Sequence, residues 1–362
     1  MLFLRSHLWW VLLLSIACGD ALASADYFQH GDQKLVAYFL TPEDHQQTKG
    51  VIIFVHGDGA MPYDAHGYYQ PIWQRLSRAG FAIFSWNKPG VGGSSGQWLL
   101  QSMEDRQSEV LAAIEHVKAR YGFQAGQIGI VGFSQAGWVV PKIAKNNQDV
   151  CFLIGAGFAL NWMEQSWYLT NTRMQLQGSS SAEVDSAYQR YLDEQVFFSQ
   201  SPNYHDYLSR FGDKRSAISR ERFQFIALNH QADATTDYTA ITQPFLLLLG
   251  EQDRNVDIKT TYETLQHITA QQNNIQIQIV ADATHGLLKH PQFNTQTPGF
   301  WWWLRFTLSG EKAFADGVLD QIEHWSINAS KQCKPHIQPS SIPRSTARTR
   351  SRTPSLERIL ET

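Results

Sequence analysis

Three residues stand on the chain where they could share a single proton. Ser134 lies in Gly132-Phe133-Ser134-Gln135-Ala136-Gly137, between the apolar run Ile128 to Val131 and a helical run from Trp138 to Ala144. A strand that turns sharply into a helix needs small flanking residues, and the turn lifts a serine oxygen clear of the sheet at the positive end of the helix. A serine hydroxyl is a weak nucleophile, so it needs a base to take its proton and an acid to orient that base. Asp253 follows the apolar run Phe245 to Leu249 and the turn Gly250-Glu251-Gln252. His285 follows the run Ile275 to Val280 through Ala281-Asp282-Ala283-Thr284, with Gly286 after it. Both therefore fall on loops past strand ends, where catalytic groups collect in open parallel sheets. The chemistry open to such a trio is acyl transfer: the serine attacks a carbonyl, the histidine accepts its proton, and the histidine then activates water against the acyl enzyme.

Each position has a competitor. A serine between small residues is by itself an ordinary turn, and it is the strand before and the helix after that single out Ser134. Ala136 stands where the usual pattern has glycine, adding one methyl where helix and strand approach. Asp257 is the second candidate acid, against a reading in which it caps the next helix; Asp253 is preferred because it lies nearer the strand end. Among the 13 histidines, His290 falls in or after the next helix. His56, at the end of an early strand, is expected to shape its loop rather than act as base. Two backbone N–H groups should meet the substrate oxygen as it gains charge. One is that of Gln135; the other is assigned to Asp58 in His56-Gly57-Asp58-Gly59, with Gly59 as substitute.

The elements that must position these residues are legible in the hydrophobic pattern. From Ala25 to Pro42 the sequence alternates around Gly31-Asp32, as two antiparallel strands with a tight turn do. Continuous apolar runs follow at Val51 to Val55, Phe81 to Trp86, Ile128 to Val131, Val150 to Ile154, Phe245 to Leu249 and Ile275 to Val280. Strands buried on both faces read this way. Helical patterns lie between them, clearest from Met103 to Tyr121, where Val110, Leu111, Ile114 and Val117 recur above a polar face. The alternation predicts an α/β fold with a doubly wound, mostly parallel sheet. Leu160 to Ile241 is too long for an ordinary connection and has helical periodicity, so it reads as a helical cap inserted after the sixth strand. The cap's first helix carries Trp162, Met163, Trp167, Tyr168 and Met174, and later helices add Phe197, Phe198, Tyr204 and Tyr207. Trp162 and Trp167 are candidates for lining an apolar substrate pocket, against the simpler reading that they pack the cap on itself or on the core.

On these pieces, together with Asn87-Lys88-Pro89-Gly90-Val91-Gly92-Gly93-Ser94 after a strand, the chain resembles the α/β-hydrolase superfamily over roughly residues 26 to 327. It is similar to the dienelactone-hydrolase-like, esterase and aminopeptidase-type groups. The resemblance implies a Ser134-His285-Asp253 triad, no metal or organic cofactor, and a small-molecule ester or related acyl compound as substrate. Carboxylic-ester hydrolysis leads; thioester or short-peptide hydrolysis would use the same machinery. A non-catalytic binding protein on this fold is the alternative of another class, and three filled triad positions speak against it.

The whole chain sets limits. Its 362 residues, 43% apolar, can bury one sizeable core. With 17% charged residues and a net charge of −3 it lacks the positive field of a nucleic-acid binder. There is no clustered Cys and His pattern for zinc and no Gly-Lys-Ser phosphate cradle, and Gly90-Val91-Gly92-Gly93 lacks the dinucleotide spacing. At the start, Arg5 and His7 precede the apolar run Leu8 to Ala17, and Ala21, Ala23 and Ala25 follow. This reads as a cleaved export signal and a periplasmic or secreted protein. The run has ten residues, short of the roughly 20 of a spanning helix, so no membrane span is expected after cleavage. Cys18 after Ser15-Ile16-Ala17 gives a lipid anchor as the alternative. Cys151 and Cys333 then remain, either bridged in an oxidising compartment or separately buried and free. The expected organisation is a signal over 1–25, core over 26–159, cap over 160–241, core again over 242–330, and a basic tail over 331–362. That tail holds seven Lys or Arg and two Glu, about +5, which leaves about −8 for the rest; its Ser, Thr, Pro and Arg composition reads as disordered.

Overall fold

In a computed structural model of the chain, residues 24–42, 48–212 and 218–333 are described. Of the segment expected as an export signal only Ser24 and Ala25 are among them, at the start of the first strand, and nearly all of the expected basic tail lies outside them. The apolar runs become the strands of one eight-stranded sheet: β1 (Ser24–His30), β2 (Gln33–Leu40), β3 (Gly50–Val55), β4 (Phe81–Trp86), β5 (Ile128–Phe133), β6 (Val150–Ala156), β7 (Phe245–Gly250) and β8 (Ile275–Val280), in the order β1-β2-β4-β3-β5-β6-β7-β8. The hairpin β1-β2 joins antiparallel to β4, and all pairings from β4 to β8 are parallel. Strands β3 to β7 are buried along their whole length, because helices cover both faces of a parallel sheet. β8 departs from the expectation. Its Ile-Gln-Ile-Gln-Ile-Val alternates, only Val280 is fully buried, and as the edge strand it is half open to solvent.

Helices α1 (Gln70–Arg78) and α10 (Val318–Gln332) pack on one face of the sheet, and α2 (Met103–Tyr121), α3 (Val140–Asn146) and α8 (Ile258–Ile268) on the other. α2 begins at a capping box, Ser102 with Asp105, which satisfies two otherwise orphaned N–H groups. Its buried face is not the expected one. Val110, Ile114 and Val117 are inside, but Leu111 is exposed, and Arg106 and Glu109 are buried in the same face.

Between β6 and β7 the chain forms α4 (Trp162–Leu176), α5 (Ser181–Ser199), α6 (Tyr204–Phe211) and α7 (Arg220–Asn229). Phe197, Phe198, Tyr207, Phe211 and Phe223 cluster on one another as a small core of their own. Phe197, Phe198 and Tyr207 therefore fill the cap's interior rather than a pocket wall. At the other end, Lys331 and Gln332, expected in the tail, are still in α10. Cys333 is disulfide-bonded to Cys151 of β6, with Cα atoms 5.6 Å apart across 182 residues of sequence.

Candidate active site

Ser134 stands directly after β5 with φ +51°, in the left-handed region that a side-chain-bearing residue enters only when its surroundings force it. The helix expected after it is divided. Ser134–Trp138 form a 3-10 turn and α3 starts at Val140. Pro141 is the cause: in a continuous α-helix it could not donate to the Gly137 carbonyl, and its ring would strike it. Ala136 is fully buried, so the extra methyl is accommodated.

The structure brings the three candidate residues together. His285 Nε2 lies 2.9 Å from Ser134 Oγ, and its Nδ1 lies 2.7 Å from Asp253 Oδ2. With Nδ1–H donating to the carboxylate, Nε2 is left to accept the serine proton. Asp253 Oδ1 in turn accepts from the backbone N–H of Asn255 at 2.7 Å and of Val256 at 3.0 Å, so the carboxylate is held by the loop it begins. Burial pushes the His285 pKa down, but the adjoining Asp253 outweighs it and holds the imidazole above its ordinary value. The competitors are elsewhere: Asp257 caps α8 by accepting from Thr260 N–H, and His290 Nδ1 meets Asn294.

One positioning residue had no signal that pattern reading could use. Gly157, just past β6, has φ +62°, and a Cβ there would lie 2.9 Å from Cε1 and 3.0 Å from Nδ1 of His285. The histidine ring occupies the space a side chain would need.

The loop His56-Gly57-Asp58-Gly59 meets Ser134 from the other side: a Cβ on Gly57 would stand 3.2 Å from Ser134 Cβ. Two buried cations fix this loop. Lys88 Nζ donates to the Gly57 carbonyl at 2.6 Å, and Arg106 donates to the His56 carbonyl at 2.5 Å and to Gln135 Oε1 at 2.7 Å. A trans peptide carries its C=O and the next N–H in opposite directions, so the hold of Lys88 on Gly57 turns the Asp58 N–H the other way. Burial, with Arg106 nearby, pushes the Lys88 pKa well down. His56 is shut into the interior, with Nε2 2.6 Å from the Trp86 carbonyl and Nδ1 3.1 Å from the Tyr69 hydroxyl. Burial and the Lys88 charge push its pKa down to about 3, so it is a neutral loop support, as expected. The side chains of Asp58 and Gln135 also meet at 3.2 Å.

The cap reaches the site through few contacts. Tyr168 hydroxyl donates to the Asp253 carbonyl at 3.2 Å and Gln165 to that of Asn255 at 3.0 Å. Arg222 of α7 pairs with Asp58 at 3.2 Å. Burial pushes the Asp58 carboxyl up, but Arg222 and Lys88 together hold it below its ordinary value. Trp162 is buried between Trp138 and Phe225, with ring centroids at 4.9 and 5.7 Å. Trp167 faces Tyr188 and Tyr191 at 4.7 and 5.5 Å.

Comparison with known proteins gives a family match and a set of similar folds. Residues 46–292 match the family model described as serine aminopeptidase, S33. An esterase from Pyrococcus furiosus superposes with a TM-score of 0.53 at 14% identity, over 86% of this chain and 91% of that one. A proline iminopeptidase from Mycobacterium smegmatis gives 0.52 at 17%, over 84% and 100%. Est1E from Butyrivibrio proteoclasticus gives 0.51 at 15%, over 84% and 98%. At such identities the likeness is one of fold. Among curated proteins none matches.

Proposed function

The chain belongs to the serine aminopeptidase family, S33, and is a serine hydrolase of the α/β-hydrolase superfamily; from that premise we propose that it cleaves carboxylic esters with an apolar acyl group, through Ser134, His285 and Asp253. The observation that carries the reading is the unbroken hydrogen-bond relay from Ser134 Oγ through both ring nitrogens of His285 to Asp253. Ser134 Oγ attacks the ester carbonyl as His285 Nε2 takes its proton. The imidazolium then gives that proton to the leaving alcohol, and the acyl group stays on Ser134. Water repeats the sequence in reverse order, its proton going to His285 and its oxygen to the acyl carbon, which frees the acid and Ser134. Asp253 keeps Nδ1 protonated and stabilises the imidazolium throughout. The oxyanion is met by the backbone N–H groups of Gln135 and Asp58, the second of them aimed by the buried Lys88.

Peptide cleavage from an amino terminus is the second reading, favoured by the family description. It needs a carboxylate free to hold the substrate ammonium group, and Asp58, the carboxylate on the loop beside Ser134, is already paired with Arg222. This favours a neutral acyl group. In the same reading α4 forms the acyl-side wall, and Trp162 and Trp167 govern chain-length choice by holding that helix against the elbow and against α5. The Cys151–Cys333 bridge fits an oxidising compartment, and with it the periplasmic or secreted location.

The test is a series of p-nitrophenyl esters from acetate to decanoate beside aminoacyl p-nitroanilides. Each buried methylene contributes about 0.8 kcal/mol, so kcat/KM should climb several-fold per carbon until the pocket fills. Trp162→Ala and Trp167→Ala should move the chain length at which it levels off. Turnover of the anilides above that of every ester would hand the assignment to the peptidase, and an unmoved profile in both variants would remove α4 from the wall.

A further inference from the structure

Helix α9 (Phe300–Ser309) is Phe-Trp-Trp-Trp-Leu-Arg-Phe-Thr-Leu-Ser. One face is accounted for: Trp302 stacks on Phe306 with centroids 5.7 Å apart, and Phe306 lies 5.9 Å from Tyr68, whose hydroxyl donates to the Gly286 carbonyl beside His285. The opposite face is bare. Phe300 is 71% exposed, Trp301 76%, Leu308 79% and Leu304 39%. Folding normally hides side chains of this size, and a contiguous exposed apolar patch marks a surface that something else covers.

We infer that this face seats the protein on a lipid surface bearing anionic headgroups, one packing layer outside the loop that carries His285. Three observations choose that occupant. The composition is that of a membrane interface, where Trp and Phe lie at headgroup depth. The size is wrong for a stable dimer. At about 150–250 Å² per aromatic side chain, the four residues present on the order of 500 Å², below the roughly 800 Å² per partner of a standard interface. The charge is right for anionic lipid. Between Asp282 and Glu311 the chain has no acidic residue, Arg305 and Lys312 are exposed, and the acids that follow are engaged, Glu311 by Arg75 and Arg78 and Asp316 by Lys289. A ten-residue helix is about 15 Å long, half of a bilayer's apolar core, so it lies in the interface and does not cross. Where the substrate is an ester dissolved in that surface, as the proposed function would have it, docking brings the mouth of the site to it; the docking itself does not depend on turnover.

The test uses the chain from Ser24 to Thr362 carrying Ser134→Ala, without the apolar run Leu8 to Ala17 that would itself enter lipid, so that binding is read without hydrolysis. It is sedimented with vesicles of phosphatidylcholine alone and with a quarter phosphatidylglycerol, and a second protein adds F300S and W301S. The parent should sediment with the mixed vesicles, and the F300S/W301S protein should bind at least tenfold more weakly. With Ser134 restored, F300S/W301S should hydrolyse a soluble short ester at the rate of the unsubstituted chain, which also shows that it is folded. Equal binding by both proteins would assign the attraction to the basic tail and overturn the inference, as would no binding by the parent. A dimer in light scattering that F300S/W301S converts to monomer would give the face to a second copy. Failure of the ester reading shows separately, as no turnover of the soluble ester by any form.

Discussion

The loops at the ends of β5, β6, β7 and β8 differ in kind from the cap they support. In the loops, each side chain of the relay is fixed by backbone: Ser134 by a forced left-handed turn, Asp253 by two N–H groups of its own loop, His285 by the space Gly157 leaves. The cap has a separate aromatic core and meets the site through single contacts, among them Tyr168 to Asp253 and Arg222 to Asp58. In the relay, geometry is over-determined by the sheet. In the cap, to which the proposed function gives the choice of substrate, the parts are hung on that frame by bonds that can be exchanged one at a time. Substitutions in the two regions should therefore differ in size and in character.

The largest expected effects are in the relay itself. Ser134→Ala should cost several powers of ten in kcat with melting temperature nearly unchanged, since it removes one oxygen and leaves the turn's backbone as it is. Asp253→Asn should cost about three to four powers of ten by favouring the wrong tautomer, and it also changes the pH profile. His285 must be neutral to act as base, and Asp253 raises its folded pKa above 6.5. Activity should then fall as pH drops through a value above 6.5, while the stability this raised pKa contributes is full below 6.5 and is lost as pH rises through the folded value. In Asp253→Asn burial remains without its counterweight, and the acid limb of the residual activity should move down. A limb that stays in place would mean that another group than His285 titrates.

Gly157→Ala comes next. The new methyl must share space with the imidazole, and the residue must hold φ +62°, so the ring gives way. A shift of about 1 Å can cost on the order of a hundredfold, and the loss should be in kcat with little change in KM. If activity survives within a few-fold, the ring has room that the geometry denies it, and the contrast between a rigid relay and an adjustable cap weakens.

Much of this was readable in the sequence for a physical reason. The sheet is buried, burial leaves continuous apolar runs, and the loops that end those runs are where Ser134, Asp253 and His285 lie. Arg106 and Glu109 escaped because a charged residue on an amphipathic helix reads as solvated. Their burial depends on partners from distant segments, the His56 carbonyl for Arg106 and the Trp86 indole for Glu109. Leu111 was misplaced for the same reason, since the face that holds those two charges is the face that points inward. Gly157 carries no pattern at all, because what it does is leave room. The cap's aromatics were visible as a set, but side chains that line a cavity and side chains that fill a core have the same composition. Only the contacts of Phe197, Phe198 and Tyr207 with Phe211 and Phe223 distinguish them.

The smallest expected effect is the sharpest test of the contrast, because it touches both regions with one bond. Arg222 and Asp58 are 36% and 44% exposed at the side chain, and an ion pair that open contributes about 0–1 kcal/mol, so Arg222→Gln should barely alter the melting temperature. Its effect on turnover has a different origin. Without Arg222 the Asp58 carboxylate keeps only Lys88 as a counter-charge beside the loop whose N–H is proposed to meet the oxyanion, and negative charge there opposes the transition state. Screening decides the magnitude. At 10 mM salt the Debye length is about 30 Å and at 1 M about 3 Å, so Arg222→Gln should lower kcat a few-fold in dilute buffer and approach the parent rate as salt is added. Arg222→Gln/Asp58→Asn, which removes that negative charge, should recover the rate at low salt as well. A loss of a hundredfold or more that neither salt nor the second substitution restores would mean that Arg222 positions the oxyanion loop itself, and the cap would then belong to the catalytic frame rather than hang upon it.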